Sequence, residues 1–74
     1  MPARLKVHEV LRRMKRFGVQ AKQGKGSRIK LFRKGRRMQT IDAHGLGDEV
    51  SPNTIRVACA KLGIPLHEFW QDTN

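Results

Sequence analysis

His44, Arg28, Ser27 and the lysines at 22, 25 and 30 are the residues of this sequence whose types suit chemistry on a polyanion. Metal-free cleavage of RNA asks for little. It needs a base for the 2′-hydroxyl, an acid for the leaving oxygen and cations on the phosphate. Histidine titrates close enough to neutrality to move such protons. Arginine stays protonated, so it can clamp a phosphate through two parallel hydrogen bonds but cannot serve as a general base. The stretch QGKGSRIKLFRKGRR, residues 23–37, concentrates the supply, with seven cations, three glycines and no acid. By itself this pattern fits an active site, a binding grip or a solvated hairpin.

Other chemistries find no footing. His8, His44 and His67 share no metal-ligand spacing, and Cys59 is the single cysteine. Gly24-Lys25-Gly26-Ser27 is too short for either nucleotide-binding glycine pattern. No metal and no cofactor are therefore expected.

The totals narrow the class. Sixteen Lys and Arg stand against six Asp and Glu in 74 residues, for a net charge of +10. Residues 1–41 hold 14 of those cations and one acid, Glu9, whereas residues 42–74 hold two cations and five acids. Such segregation suits a module with one end turned to a nucleic acid. The length predicts one domain over residues 1–74, which buries about 60% of the surface its unfolded chain exposes. A core so marginal leaves no deep cavity, so any site should lie on an open surface. No apolar run exceeds four residues, which predicts neither a signal peptide nor a membrane span. A lone cysteine fits a reducing cytoplasm.

These residues need elements to hold them. Val7, Val10, Leu11 and Met14 fall at i, i+3, i+4 and i+7, predicting a helix over residues 4–17 that stops at Gly18. His8 and Glu9 lie off this stripe and are expected in solvent. Val19–Lys22 alternates as a short strand. Gln23–Ser27 reads as a loop whose two glycines permit positive φ. Arg28–Arg33 alternates again, with Ile29 and Leu31 on one face and Arg28, Lys30 and Phe32 on the other. Lys34-Gly35 makes a tight turn into a return strand over residues 36–43, whose register is open because Ile41 is out of phase with Met38 and Thr40. After a loop over residues 44–50, Ser51 caps a second helix with Pro52 at its first position. Ile55, Ala58, Cys59 and Leu62 form its apolar stripe, and Gly63, Ile64 and Pro65 close it. Leu66–Trp70 reads as a short terminal helix with Phe69 and Trp70 over the rim of the core.

The expected order is helix, three-stranded antiparallel meander, helix, short helix. The two helical stripes require one apolar sheet face, and the second sheet face stays wet.

With these motifs in place, the stretch from Val10 to Phe69 resembles the HicA, or YcfA-like, family of toxin mRNA interferases. The matches are Gly18, Lys25-Gly26-Ser27, Gly35-Arg36, Thr40-Ile41 with His44, Glu49-Val50, Thr54-Ile55-Arg56 and Leu62-Gly63-Ile64. Order and spacing agree, apart from about one extra residue near Gly24 and one near Leu46. The resemblance implies an α+β, double-stranded-RNA-binding-like α-β-β-β-α fold, an RNA partner and a HicB-like antitoxin. It also implies metal-independent RNA cleavage. The chain departs from the family motif at two positions. Arg28 stands where the family has its catalytic histidine, and Asp42 stands where the family has a proline.

The expected nucleic-acid-binding residues are Lys22, Lys25, Gly26, Ser27, Arg28, Lys30 and Phe32. Arg28 occupies the family's catalytic position without being a base. His44 is open between acid–base catalysis and a hydrogen bond to the loop backbone. Phe32 is open between stacking on a base, packing beneath Trp70 and a homodimer contact. With its general base gone, the chain is expected to bind RNA and cut it slowly or not at all. The alternatives are a non-catalytic RNA-binding module and a basic structural or DNA-binding protein.

Overall fold

In the computed structural model, which describes residues 4–71, eight elements follow one another. They are β1 (Leu5–Lys6), α1 (Val7–Lys15), β2 (Gln20–Gln23), β3 (Arg28–Phe32), β4 (Gln39–Asp42), β5 (Glu49–Val50), α2 (Pro52–Leu62) and α3 (Leu66–Trp70). Strands β2, β3 and β4 form the expected antiparallel meander in that spatial order. The architecture is α+β, as the pattern of elements required.

The first helix begins later than its periodicity suggested. Leu5 and Lys6 pair with Val50 and Glu49, so a two-stranded ladder replaces the first helical turn and the end of the expected loop. The opening amides of a helix have no intrahelical acceptors. Here the Val7 N–H donates to the Asp48 carbonyl at 2.8 Å and the His8 N–H to the Leu46 carbonyl at 3.1 Å. Segment 44–50 thus caps α1 from far along the chain.

The second helix starts and stops where expected. The Ser51 hydroxyl accepts from the Thr54 N–H at 3.2 Å, with Pro52 in the first turn. At the other end the Ile64 N–H donates to the Cys59 carbonyl at 2.8 Å and the Gly63 N–H to the Ala60 carbonyl at 3.3 Å. This paired closure needs a left-handed residue, and Gly63 supplies it with φ +73°.

Ile29 and Leu31 point into the core, together with Ile41 and Ala43 from the return strand. The Ile29–Ile41 pairing settles the open register. A slip of one residue would turn Ile41 out and Thr40 in, against the hydrophobic effect. The return strand is shorter than expected and starts at Gln39, because residues 33–36 are used in a turn closed by the Arg36 N–H on the Arg33 carbonyl at 3.0 Å. Helices α1 and α2 cover the apolar face. Cys59 sits on α2 with no exposure, and burial pushes its thiol pKa up to about 11, which keeps it protonated.

Two expectations fail at the end of the core. Phe69 does not lie over the rim but is fully buried, and only Trp70 is left half-exposed. Glu9 is not free in solvent either. It is half-buried and binds both Arg12 and Arg13, whose hydrogen bonds, that of Arg12 first, hold its carboxyl below the ordinary glutamate range. Arg13 also donates to the Phe69 carbonyl at 3.3 Å, and its guanidinium lies 5.6–5.8 Å from the Trp70 and Phe69 ring centres. Arg16 reaches the Gln71 carbonyl at 3.1 Å and the Glu68 carbonyl at 3.2 Å. The arginines of α1 therefore tie α3 to the domain through its carbonyl end, where cations are favoured.

Candidate nucleic-acid interface

The wet face of the sheet is built by cross-strand pairing. Lys22 on β2 stands opposite Lys30 on β3, and Lys30 stands opposite Thr40 on β4. Paired residues share a face, so this is one continuous row. One step along the strands, Arg28 stands opposite Asp42. One step the other way, Phe32 stands opposite Gln20, and its side chain is exposed.

The hairpin between β2 and β3 is tighter than a five-residue loop. The Gly24 N–H donates to the Arg28 carbonyl at 2.8 Å, and the Arg28 N–H reaches the Lys25 carbonyl at 3.4 Å. The register places Gly24 opposite Arg28, so Lys25, Gly26 and Ser27 form a three-residue loop, and Gly26 at its centre takes positive φ, +65°. Gly24 has another role. A Cβ there would lie 3.1 Å from the Arg28 carbonyl oxygen and 3.4 Å from the Lys30 Cε. The missing side chain leaves room for the hairpin to close and for Lys30 to lie across it.

Pairing continues past β4. The Ala43 N–H donates to the Ser27 carbonyl at 2.5 Å, which locks the strand end onto the turn. Burial alternates through this end, with Ile41 and Ala43 inside and Asp42 and His44 outside. His44 is held by a short bond from its own N–H to the Asp48 carboxylate, 2.6 Å. The partner is the Asp48 side chain and the donor is the His44 amide, so this is not the bond from His44 to the loop backbone that the sequence left open. Arg28 and His44, apart in sequence, thus come to the same corner of the sheet.

Arg28 Nε lies 3.9 Å from Asp42 Oδ1, with side chains 70% and 80% exposed. An ion pair this open is worth about 0–1 kcal/mol and is screened by salt. It leaves the Arg28 guanidinium open to solvent. Asp42 was read only as a departure from a motif, and its place beside Arg28 appears only once the strands pair.

Not every cation of the basic segment belongs to this face. Arg33 donates through Nε to the Phe17 carbonyl and through Nη1 to the Leu62 carbonyl, both at 2.8 Å. One side chain thus neutralises the carbonyl ends of α1 and α2 together. Arg36 lies against Gly63 at the same place. Lys22, Lys25, Arg28 and Lys30 remain exposed on the wet side. Among the described residues, no three of His, Cys, Asp and Glu are grouped to hold a metal ion. No described helix is long and apolar enough to cross a membrane.

Neither a comparison with curated proteins nor one with solved structures returned a match. The family profile described as HicA toxin of bacterial toxin-antitoxin matches residues 7–64. That span runs from the first residue of α1 to the closure of α2, and it contains the whole meander. It covers well over half of the 74 residues, so the chain belongs to the HicA toxin family of bacterial toxin–antitoxin systems.

Proposed function

We propose that this toxin acts on RNA, gripping the backbone on the open face of its sheet as a metal-independent mRNA endoribonuclease of the HicA type. The observation that carries the reading is the Lys22–Lys30 pair. Like charges directly opposite each other on a sheet destabilise it. The arrangement is relieved when an anion lies across both, and the phosphate backbone is such an anion. Lys25 and Arg28 extend the cationic track around the hairpin. Phe32, at the far end, offers a ring on which a base can stack.

The affinity is expected to be electrostatic. With roughly four to six phosphates neutralised, log K should fall against log[salt] with a slope of about −3 to −5. Titrating a labelled single-stranded RNA across a salt series measures the slope. An affinity indifferent to salt would remove the proposed face from consideration. Comparing duplex RNA with duplex DNA separates this reading from a DNA-binding protein, since A-form shape and 2′-hydroxyl contacts discriminate between them.

Family membership implies an antitoxin partner. We take it to be of the HicB type, covering the same basic face with an acidic surface of its own. Purified antitoxin should then compete with RNA, raising the apparent dissociation constant in proportion to its concentration. Formation of a ternary complex without mutual weakening would place the antitoxin elsewhere, such as on the acidic half after His44.

A further inference from the structure

The corner where β4 meets the β2–β3 hairpin gathers three different functional groups. Arg28 supplies a guanidinium, fixed at the last position of the hairpin turn. Asp42 faces it across the strands, with 3.9 Å between Nε and Oδ1. His44 follows Asp42 by two residues, just past the end of β4; both are exposed, and Ala43 between them is buried. Two residues of chain span at most about 7 Å. That separation lets two side chains flank one phosphodiester, one on the attacking oxygen and one on the leaving oxygen. The Asp48 carboxylate fixes the His44 backbone at 2.6 Å, and the Ala43–Ser27 bond fixes the strand end. The constellation therefore stands on a pinned frame.

We propose that Asp42, His44 and Arg28 form a composite catalytic centre in which Asp42 replaces the missing histidine base. The proposal rests on the RNA reading above and specifies its chemistry. The Asp42 carboxylate takes the proton of the 2′-hydroxyl. The freed oxygen attacks phosphorus, forming the O2′–P bond as the P–O5′ bond breaks. His44, as the imidazolium, gives its proton to the departing 5′-oxygen. Arg28 bonds the non-bridging oxygens as charge builds on them. The products are a 2′,3′-cyclic phosphate and a 5′-hydroxyl, with one proton moved from His44 to the leaving group and one received by Asp42. No redox partner or metal is required by this balance.

A catalytic carboxylate and a merely solvated surface ion pair differ in what Asp42→Asn does. The side chain is largely exposed, so the change leaves the fold intact; circular dichroism verifies this. Single-stranded RNA of mixed sequence is incubated with the full chain and its variants in the presence of a chelator, and the product ends are identified. The unchanged protein should cut and leave cyclic phosphate ends. Asp42→Asn and His44→Ala should each slow cleavage by about 10²–10⁴-fold, the usual value of a positioned acid or base. Asp42→Asn should bind the same RNA at least as tightly, since a negative charge leaves the face. A substrate with 2′-deoxy sugars should be bound and left whole. Cleavage by Asp42→Asn at the unchanged rate overturns the proposal. So does RNA binding without cleavage by the unchanged protein, with cutting appearing only in Arg28→His. In the first of those results the endoribonuclease reading stands and only the role of Asp42 falls; in the second only the RNA-binding face stands; absence of RNA binding overturns both proposals.

Discussion

Reversing Lys22 and Lys30 together to glutamate is expected to abolish measurable RNA binding at physiological salt. Each phosphate contact contributes about tenfold at low ionic strength through counterion release. Removing two contacts therefore costs on the order of 10²-fold. The two new carboxylates add repulsion in the middle of the track, between Arg28 and Phe32. The salt slope should also shrink by about two. A control must change net charge equally without touching the face. Arg56→Glu with Lys61→Glu does so, because both residues are exposed on α2, behind the sheet. If the control weakens binding as much as the Lys22/Lys30 variant, the affinity belongs to total charge and not to this face. The double reversal should not unfold the protein, because it replaces one like-charge pair with another on an exposed surface.

Phe69→Ala should be the most destabilising single change in the chain. Phe69 is the largest of the fully buried side chains and the anchor by which α3 enters the core. Large aromatic truncations of this kind cost about 3–5 kcal/mol. Small domains have roughly 5–15 kcal/mol to lose, and one of this size sits toward the low end. The change also removes a ring that packs edge-on against Trp70 at 5.3 Å and faces the Arg13 guanidinium. Thermal unfolding followed by circular dichroism should show a midpoint lower by at least about 12 °C. A fall of only a few degrees would mean that α3 is an appendage, and that the clamp from Arg13 and Arg16 fixes little. Phe69 lies outside the span matched by the family profile, so a large effect would make α3 part of this chain's own folded unit.

How much of this was legible along the chain depended on distance. Gly18, Gly35 and Gly63 at positive φ, the Ser51 cap and the apolar stripe of α2 were readable because each is decided within a few residues by backbone sterics and helix period. The alternation in β3 fixed which side of Arg28, Lys30 and Phe32 would be wet for the same local reason. The segregated charge was legible as a count of residues and led to the expectation of a polyanionic partner. The series of short motifs pointed to the HicA family, which the profile match over residues 7–64 bears out.

Other features were decided by residues that meet only in the folded chain. The late start of α1 follows from Leu5 and Lys6 finding Val50 and Glu49, a pairing that outweighs local helix periodicity. Glu9, Arg13 and Arg16 read as a charged helix face, yet they serve α3, because carbonyls left open at that distant end need donors. Arg33 looked like one more cation in a basic run and instead joins the ends of two helices. At the candidate site the sequence determined the residue types: a guanidinium at 28, a carboxylate at 42, an imidazole at 44. It presented the first two as separate departures from a motif. Only antiparallel register, set by burying Ile29 against Ile41, places Arg28 opposite Asp42 and brings His44 to the same corner. Register depends on which strand faces share the core, and that choice is made by the whole fold, not by any single segment.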